Sequence, residues 1–177
     1  EPEKGLSAIK IASEIISKLK VGRIDFETTA NIGLISGGSA RNAIPELVEF
    51  KGEIRSRNMK KLQKHTEHFK NVLEIISSKY TTAKIETVIK EEFTSYSFTK
   101  DHPIIQKILQ TFKKLKIKPD LGVSGGGSDV NIFNSHGIEI VDVGIGVYNP
   151  HTKREYLVIS ETTQTANFLL NLLTAKN

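Results

Sequence analysis

The chain has 177 residues, of which 38% are hydrophobic and 25% charged, and it carries a formal charge of +5. That length suits one ordinary domain or two small ones, and the absence of cysteine excludes a disulfide framework and a thiolate metal site and fits a reducing, cytoplasmic compartment. No apolar run approaches the roughly 20 residues of a membrane span, Glu1-Pro2-Glu3-Lys4 lacks the pattern of a signal peptide, and dispersed lysines without interleaved aromatics speak against nucleic-acid binding.

From Gly5 to Lys20, Ile9, Ala12, Ile16 and Leu19 recur at helical spacing, flanked by Ala8, Ile11 and Ile15, and Gly22 ends the helix. Thr28 to Ser36 reads as a strand, with Ala30, Ile32 and Leu34 alternating. Gly37-Gly38 and Pro45 mark a turn. Leu47 to Arg57 alternates cleanly: Val48, Phe50, Gly52 and Ile54 form a packed face, while Glu49, Lys51, Glu53 and Arg55 form a wet one. Asn58 is suited to cap a helix over Met59 to Tyr80, with Leu62, Phe69, Val72, Leu73 and Ile76 as its apolar stripe. Ala83, Ile85 and Ile89 suggest a further strand trailing toward Phe98. The lysines at positions 60, 61, 64 and 70 read as solubilising.

A four-stranded sheet covered by two helices on one face would be complete with one strand ahead of the first helix. The expectation is therefore a sheet element upstream of Glu1 and an open sheet edge where it belongs.

The second half patterns differently. Asp101 is placed to cap a helix with Pro103 in its first turn and Pro119 beyond its end. A short strand near Leu121–Val123, a glycine turn, a short helix, a strand over Ile138 to Val143, a loop and a helix from Ser160 to about Thr174 follow. Two strands make too small a sheet to stand alone. The domain boundary falls near Thr99–Asp101, giving units of 1–99 and 100–177.

Four groups of residues could carry chemistry. Ser124-Gly125-Gly126-Gly127-Ser128-Asp129 follows a strand and opens a helix, where free N–H groups favour an anion; it is neither a P-loop nor a dinucleotide fingerprint, and a tight packing turn accounts for it equally well. His151 lies in a loop after a buried strand, where α/β folds gather ligands. It can bind zinc through one ring nitrogen, with Glu155 as a neighbour that orients it, or it is a surface loop histidine. Asn42 and Arg55 form the third group. The Arg55 guanidinium can hold a carboxylate in bidentate fashion or pair with Glu49 or Glu53. His65 and His68 have a chelating spacing, but flanking lysines favour a solvated helix face. His102 and His136 have no constellation.

Taken together, these segments resemble zinc-dependent exopeptidases of the peptidase T type. Glu1 to Ile9 looks like the start of the lid-domain helix of that family. Gly22 to Gly33, Gly37 to Pro45, Gly52-Glu53-Ile54-Arg55-Ser56, Ser124 to Asn131 and Asn149-Pro150-His151 follow in the family's order. The broader family holds aminoacylase and bacterial glutamate carboxypeptidase. The resemblance covers nearly the whole chain.

It implies an α/β protein: an α+β lid domain with a four-stranded antiparallel-type sheet and two helices, its first strand missing, then the C-terminal part of a catalytic domain. It implies two zinc ions per subunit of the parent enzyme, held by two histidines and three acidic residues, with a separate glutamate as general base. Zinc would lower the pKa of a bridging water and polarise the scissile carbonyl, and two metals can clamp the tetrahedral oxyanion. His151 matches the last zinc ligand of the family. Asn42 and Arg55 match lid positions that contact substrate, in some members across a homodimer. Gly125, Gly126, Gly127 and Ser128 match a loop lining the substrate pocket. The other ligands, the general base and a lid histidine belong upstream of Glu1. A catalytic zinc takes about three protein ligands, so this chain by itself is expected to be inactive. The alternative is a dimerisation or binding module that works without zinc.

Overall fold

The computed structural model describes residues 1–174. The chain divides into two compact units, Glu1–Ser95 and the residues from Tyr96 onward. Among the described residues no helix is long and apolar enough to cross a membrane.

The first unit opens on a 3-10 turn, Pro2–Lys4, and helix α1, Ala8–Lys18. Ser7 caps α1 by accepting the Lys10 N–H. Three strands follow, β1 (Gly22–Arg23), β2 (Thr28–Gly37) and β3 (Val48–Ser56), and then helix α2, Met59–Lys79. The sheet is antiparallel in the order β1-β2-β3. The carboxamide of Asn58 accepts the N–H groups of Lys60 and Lys61, so two otherwise orphaned donors at the start of α2 are satisfied by one side chain.

Both helices bury their apolar stripes in one cluster. Ile11, Ile15 and Leu19 of α1 and its exit meet Val72 and Ile76 of α2, with Ile32 and Phe50 contributed from the sheet. Ile76 is fully buried. The alternation of β3 is realised as Val48, Phe50 and Ile54 half-buried against Glu49, Lys51, Glu53 and Arg55 exposed.

Several expectations are corrected here. Gly22 does not end the first helix: α1 stops at Lys18 with Leu19 as its cap, and Gly22, at φ +87°, starts β1 opposite Ala30. Leu34 does not share a face with Ala30 and Ile32. A bulge lies between Ile32 and Leu34, so that Ile32 pairs with Gly52, Leu34 with the wet-face Lys51, and Ile35 with Phe50. One inserted residue reverses the facing of everything beyond it. Gly52 belongs to this irregularity, because a Cβ there would clash with the Asn31 carbonyl oxygen.

Among the described residues the sheet has three strands, with β1 in place of the strand expected from Ala83 onward. The stretch from Ala83 to Phe98 forms no ladder, although Ala83 and Ile85 still pack against the core. Apolar contact alone does not make a strand; the backbone needs a neighbour to pair with, and none of the described strands supplies one. His65 is also not on a solvated face: it is 7% exposed and its ring engages the end of α1. Lys61 is likewise engaged, bridging Asp25 and Glu27 at 3.2 and 2.7 Å.

The second unit is built on helix α3, Pro103–Lys114, and helix α5, Ile159–Thr174, with the short helix α4, Asp129–Ser135, and a hairpin of β4 (Val147–Tyr148) and β5 (Tyr156–Leu157) between them. Phe168 of α5, 1% exposed, stacks on Phe112 of α3 with ring centroids 4.2 Å apart. Pro103 occupies the first helical position, which makes His102 the cap in place of Asp101. Helix α5 begins one residue before Ser160, because the Val158 carbonyl already accepts the Thr162 N–H.

The strands expected near Leu121–Val123 and over Ile138 to Val143 are not formed. In the second case the cause is visible. The Ile140 backbone is paired by a side chain: Asn134 Nδ2 donates to its carbonyl at 2.8 Å and Asn134 Oδ1 accepts its N–H at 3.4 Å. An amide side chain here occupies the place of a neighbouring strand.

Candidate functional site

Asn42 and Arg55 lie in the first unit, and the glycine turn and His151 lie in the second. Asn42 is exposed in the turn between β2 and β3. Arg55 stands on the wet face of β3 opposite Thr29, and its Nη2 donates to Glu53 Oε2 at 2.8 Å. Both side chains of that pair are about half exposed. Exposed pairs of this kind contribute about 0–1 kcal/mol, so Glu53 neutralises Arg55 without committing it. A carboxylate in bidentate contact is a stronger partner for a guanidinium.

The glycine turn is open. Nothing lies within 4 Å of where a Cβ would stand on Gly125, and Ser124 Oγ accepts the Gly126 N–H at 3.0 Å. Ser128 precedes α4, and its N–H donates to Asn131 Oδ1 at 3.1 Å. Its hydroxyl donates to both oxygens of Asp142, at 3.3 and 3.1 Å. The Tyr96 hydroxyl donates to the same carboxylate at 3.0 Å. Burial, followed by this hydrogen bond to Asp142, holds the Tyr96 phenol above its ordinary pKa. Asp142 therefore gathers Tyr96 and Ser128 from distant points of the chain. Sequence reading missed it, because an aspartate in an apolar stretch carries no local pattern.

His151 is carried by the β4–β5 hairpin. Val147 pairs with Leu157 and Tyr148 with Tyr156, whose rings stack 5.1 Å apart. Tyr148 Oη also donates to both oxygens of Glu161 on α5, at 3.0 and 2.9 Å. That bond raises the Tyr148 pKa above the ordinary tyrosine value. Gly146, at φ +77°, lets the hairpin lie against α5; a Cβ there would come 2.7 Å from Glu161 Cβ. Between the strands, Asn149 and His151 take positive φ, +52° and +63°, which is uncommon for residues other than glycine. The His151 N–H donates to Glu155 Oε2 at 2.7 Å. Glu155 thus fixes the backbone of His151, while the ring is exposed and makes no hydrogen bond among the described residues.

A complete metal centre is not assembled: among the described residues no three His, Cys, Asp or Glu side chains cluster to hold an ion. One imidazole does not meet the need of a catalytic zinc for about three protein ligands. His65 and His68 are excluded as a pair of ligands. Both rings face the Lys20 backbone, with His65 Nε2 donating to its carbonyl at 2.9 Å and His68 Nε2 accepting its N–H at 3.4 Å.

Comparison with known proteins adds the following. Residues 1–82 match a family described as the peptidase dimerisation domain. Among curated proteins, the chain is 34% identical over 173 residues to the uncharacterized protein YqjE of Bacillus subtilis, covering 98% of this chain and 46% of that protein. It is 22% identical to peptidase T of Brevibacillus brevis over 96% of this chain and 42% of the relative. Among solved structures, it is similar to the aminopeptidase PepT of Bacillus cereus, at 32% identity and a TM-score of 0.79, over 97% of this chain and 46% of that one. It is also similar to a tripeptidase of Staphylococcus aureus, at 31% identity and a TM-score of 0.83, with the same coverage. The chain therefore spans about half the length of the relatives it matches.

Proposed function

Because the chain belongs to the peptidase-T-like members of the M20 peptidase family, we propose that the whole protein is a metallo-exopeptidase of the tripeptidase or aminopeptidase kind, acting on small peptides. The observation that carries this is the agreement with an aminopeptidase and a tripeptidase over 97% of the chain, in sequence and fold together.

Within that reading residues 1–99 are the lid and dimerisation domain, and residues 100–177 are the C-terminal part of the catalytic domain. Arg55 binds a substrate carboxylate, exchanging Glu53 for it, with Asn42 beside the same substrate. Gly125, Gly126, Gly127 and Ser128 line the pocket. His151 is one ligand of the zinc, an exposed residue whose ring makes no hydrogen bond among the described residues. On this reading the chain by itself is inactive, and the remaining ligands and the general base come from elsewhere in the whole protein. The homodimer forms through the lid domain.

The test is metal content together with peptide hydrolysis by the whole protein. The expected result is about two zinc ions per subunit, as two-metal hydrolases hold, with hydrolysis of di- or tripeptides lost to a chelator. His151→Ala should lower zinc occupancy. Arg55→Ala should raise KM and leave zinc content intact. A protein that binds no metal, cleaves no peptide and still dimerises would instead be a non-catalytic dimerisation module.

A further inference from the structure

Asp142 belongs to none of the sequence motifs, yet its carboxylate stands behind the glycine turn. We propose that Asp142 is a positioning residue for that turn: its carboxylate, held by the Tyr96 hydroxyl, fixes Ser128 so that Gly125 to Ser128 are already set when substrate arrives. The inference rests on the reading of Gly125, Gly126, Gly127 and Ser128 as the lining of the substrate pocket.

Glycines leave a turn with little to hold it. Nothing lies within 4 Å of where a Cβ would stand on Gly125, and glycine loses more backbone freedom on ordering than any other residue. The bonds at the two ends of the turn are local. Ser124 Oγ accepts the Gly126 N–H at 3.0 Å, and Asn131 Oδ1 accepts the Ser128 N–H at 3.1 Å. They shape the turn and join it to α4, a helix of seven residues. The Ser128 hydroxyl reaches further. It donates to Asp142 Oδ2 at 3.1 Å and Oδ1 at 3.3 Å, 14 residues along the chain. A hydrogen bond to a carboxylate is stronger than one between neutral groups.

Asp142 is itself held in place. Tyr96 Oη donates to Asp142 Oδ2 at 3.0 Å, so one carboxylate takes both hydroxyls. The Tyr96 ring lies 5.8 Å from that of Phe98, and Phe98 lies 4.5 Å from the ring of His102, which caps α3. The backbone leading to Asp142 is anchored as well. His102 Nε2 lies 3.3 Å from Glu139 Oε1, and the Asn134 amide on α4 bonds to both the N–H and the carbonyl of Ile140. The link thus runs from the start of α3, through Tyr96 and Asp142, to the glycine turn. Asp142 is exposed and adds nothing to the apolar core. A loop fixed beforehand costs a substrate less ordering when it binds, which is how supporting side chains strengthen binding without touching the ligand.

The experiment follows hydrolysis of a tripeptide by the whole protein in Asp142→Ala, Asp142→Asn, Tyr96→Phe, Ser128→Ala and the double variant Asp142→Ala with Ser128→Ala. Folding is checked by circular dichroism and thermal unfolding. The expected result is KM raised about 10-fold in Asp142→Ala, the scale of one lost charge-assisted hydrogen bond. The value of kcat should be little changed, because a wall of the pocket holds substrate and transition state alike. Asp142→Asn keeps an acceptor oxygen and should recover part of the loss, and Tyr96→Phe should fall between it and the parent. The double variant should be no worse than Ser128→Ala alone, because Asp142 acts through Ser128. If Asp142→Ala unfolds at lower temperature but keeps the parent KM while Ser128→Ala raises it, Asp142 is merely structural and the pocket reading stands. If the double variant shows the product of the two single losses, Asp142 does not act on Ser128 and the positioning role is wrong. If Ser128→Ala also leaves KM unchanged, the pocket reading of the turn falls, and the inference with it. Should Asp142→Ala fail to fold, Asp142→Asn and Tyr96→Phe decide the same question, and a parent KM in both overturns the proposal.

Discussion

His65 on α2 and Lys20 at the exit of α1 are joined by a bond from the imidazole Nε2 to the backbone carbonyl, 2.9 Å long and part-buried. A carbonyl oxygen can only accept, so Nε2 carries the proton. His68, one turn further along α2, accepts the N–H of the same Lys20 at 3.4 Å. The chain leaving α1 has no helical partner for either group, and α2 supplies both from side chains.

His65→Ala should therefore destabilise the first unit by about 1–3 kcal/mol, the usual cost of leaving a buried polar group without its partner. His68→Ala, which removes a longer and more exposed bond, should cost less than His65→Ala. Urea unfolding of the two variants tests the order; equal losses would show that the His65 bond carries no special weight.

Ile75 and Ile76 are neighbours with opposite surroundings, 63% exposed and fully buried. Ile76→Ala removes a side chain from the contact of α1 with α2 and should cost about 2–5 kcal/mol. Ile75→Ala should stay within about 0.5 kcal/mol of the parent. Denaturant midpoints measured on the pair would reject the packing described above if the two losses were similar.

Where such features could be read from the chain, the information was local. The carboxamide of Asn58, the alternation of β3 and the spacing of α2 involve residues within a few positions of each other, and elementary stereochemistry decides them. The reversal at Gly33 was less accessible, because a glycine in a strand permits a bulge without requiring one. The burial of His65 depends on a carbonyl 45 residues away, and flanking lysines suggested the opposite. The stretch from Ile138 to Val143 has the composition of a strand, yet a strand is a relation between two segments, and Asn134 took the partner's place. For the candidate site, His151 was legible as a residue type in a loop, whereas the support from Glu155 to its peptide N–H depends on two left-handed residues that no pattern announces.

Acid should weaken the joint between Glu14 and the end of α2. Hydrogen bonding from Lys79 Nζ, at 2.7 and 2.8 Å, and then from Tyr80 Oη, at 2.8 Å, holds the Glu14 carboxyl below its ordinary pKa. A carboxyl depressed in the folded state contributes stability that is complete above its unfolded pKa of about 4.3. That contribution is lost as pH falls through the lower folded value. The group is at the surface, so salt should reduce the effect. Lys79→Met should lower stability slightly near pH 7 at low ionic strength, leave it unchanged at the acid end, and so flatten the acid limb of the profile. An acid limb unaltered in Lys79→Met would place the titrating carboxyl elsewhere.

Asp142 offers the remaining prediction. Its carboxylate accepts from Ser128 at the end of the glycine turn and from Tyr96, and the Tyr96 phenol is raised first by burial and second by this bond. Replacing the carboxylate with an amide keeps the shape and removes the charge. In Asp142→Asn the Tyr96 pKa should fall toward the ordinary tyrosine value without reaching it, because the burial contribution persists. Tyr148, whose elevated pKa comes from Glu161, should titrate as before and serves as the internal control. Ring resonances of the two tyrosines followed by NMR through the alkaline range separate them. Asp142→Ala should go further and free the Ser128 hydroxyl, so that amide exchange through Gly125 to Ser128 quickens while α3 and α5 are unaffected. A Tyr96 titration identical in parent and Asp142→Asn would mean that burial alone sets it, and that Asp142 does not tie the glycine turn to Tyr96.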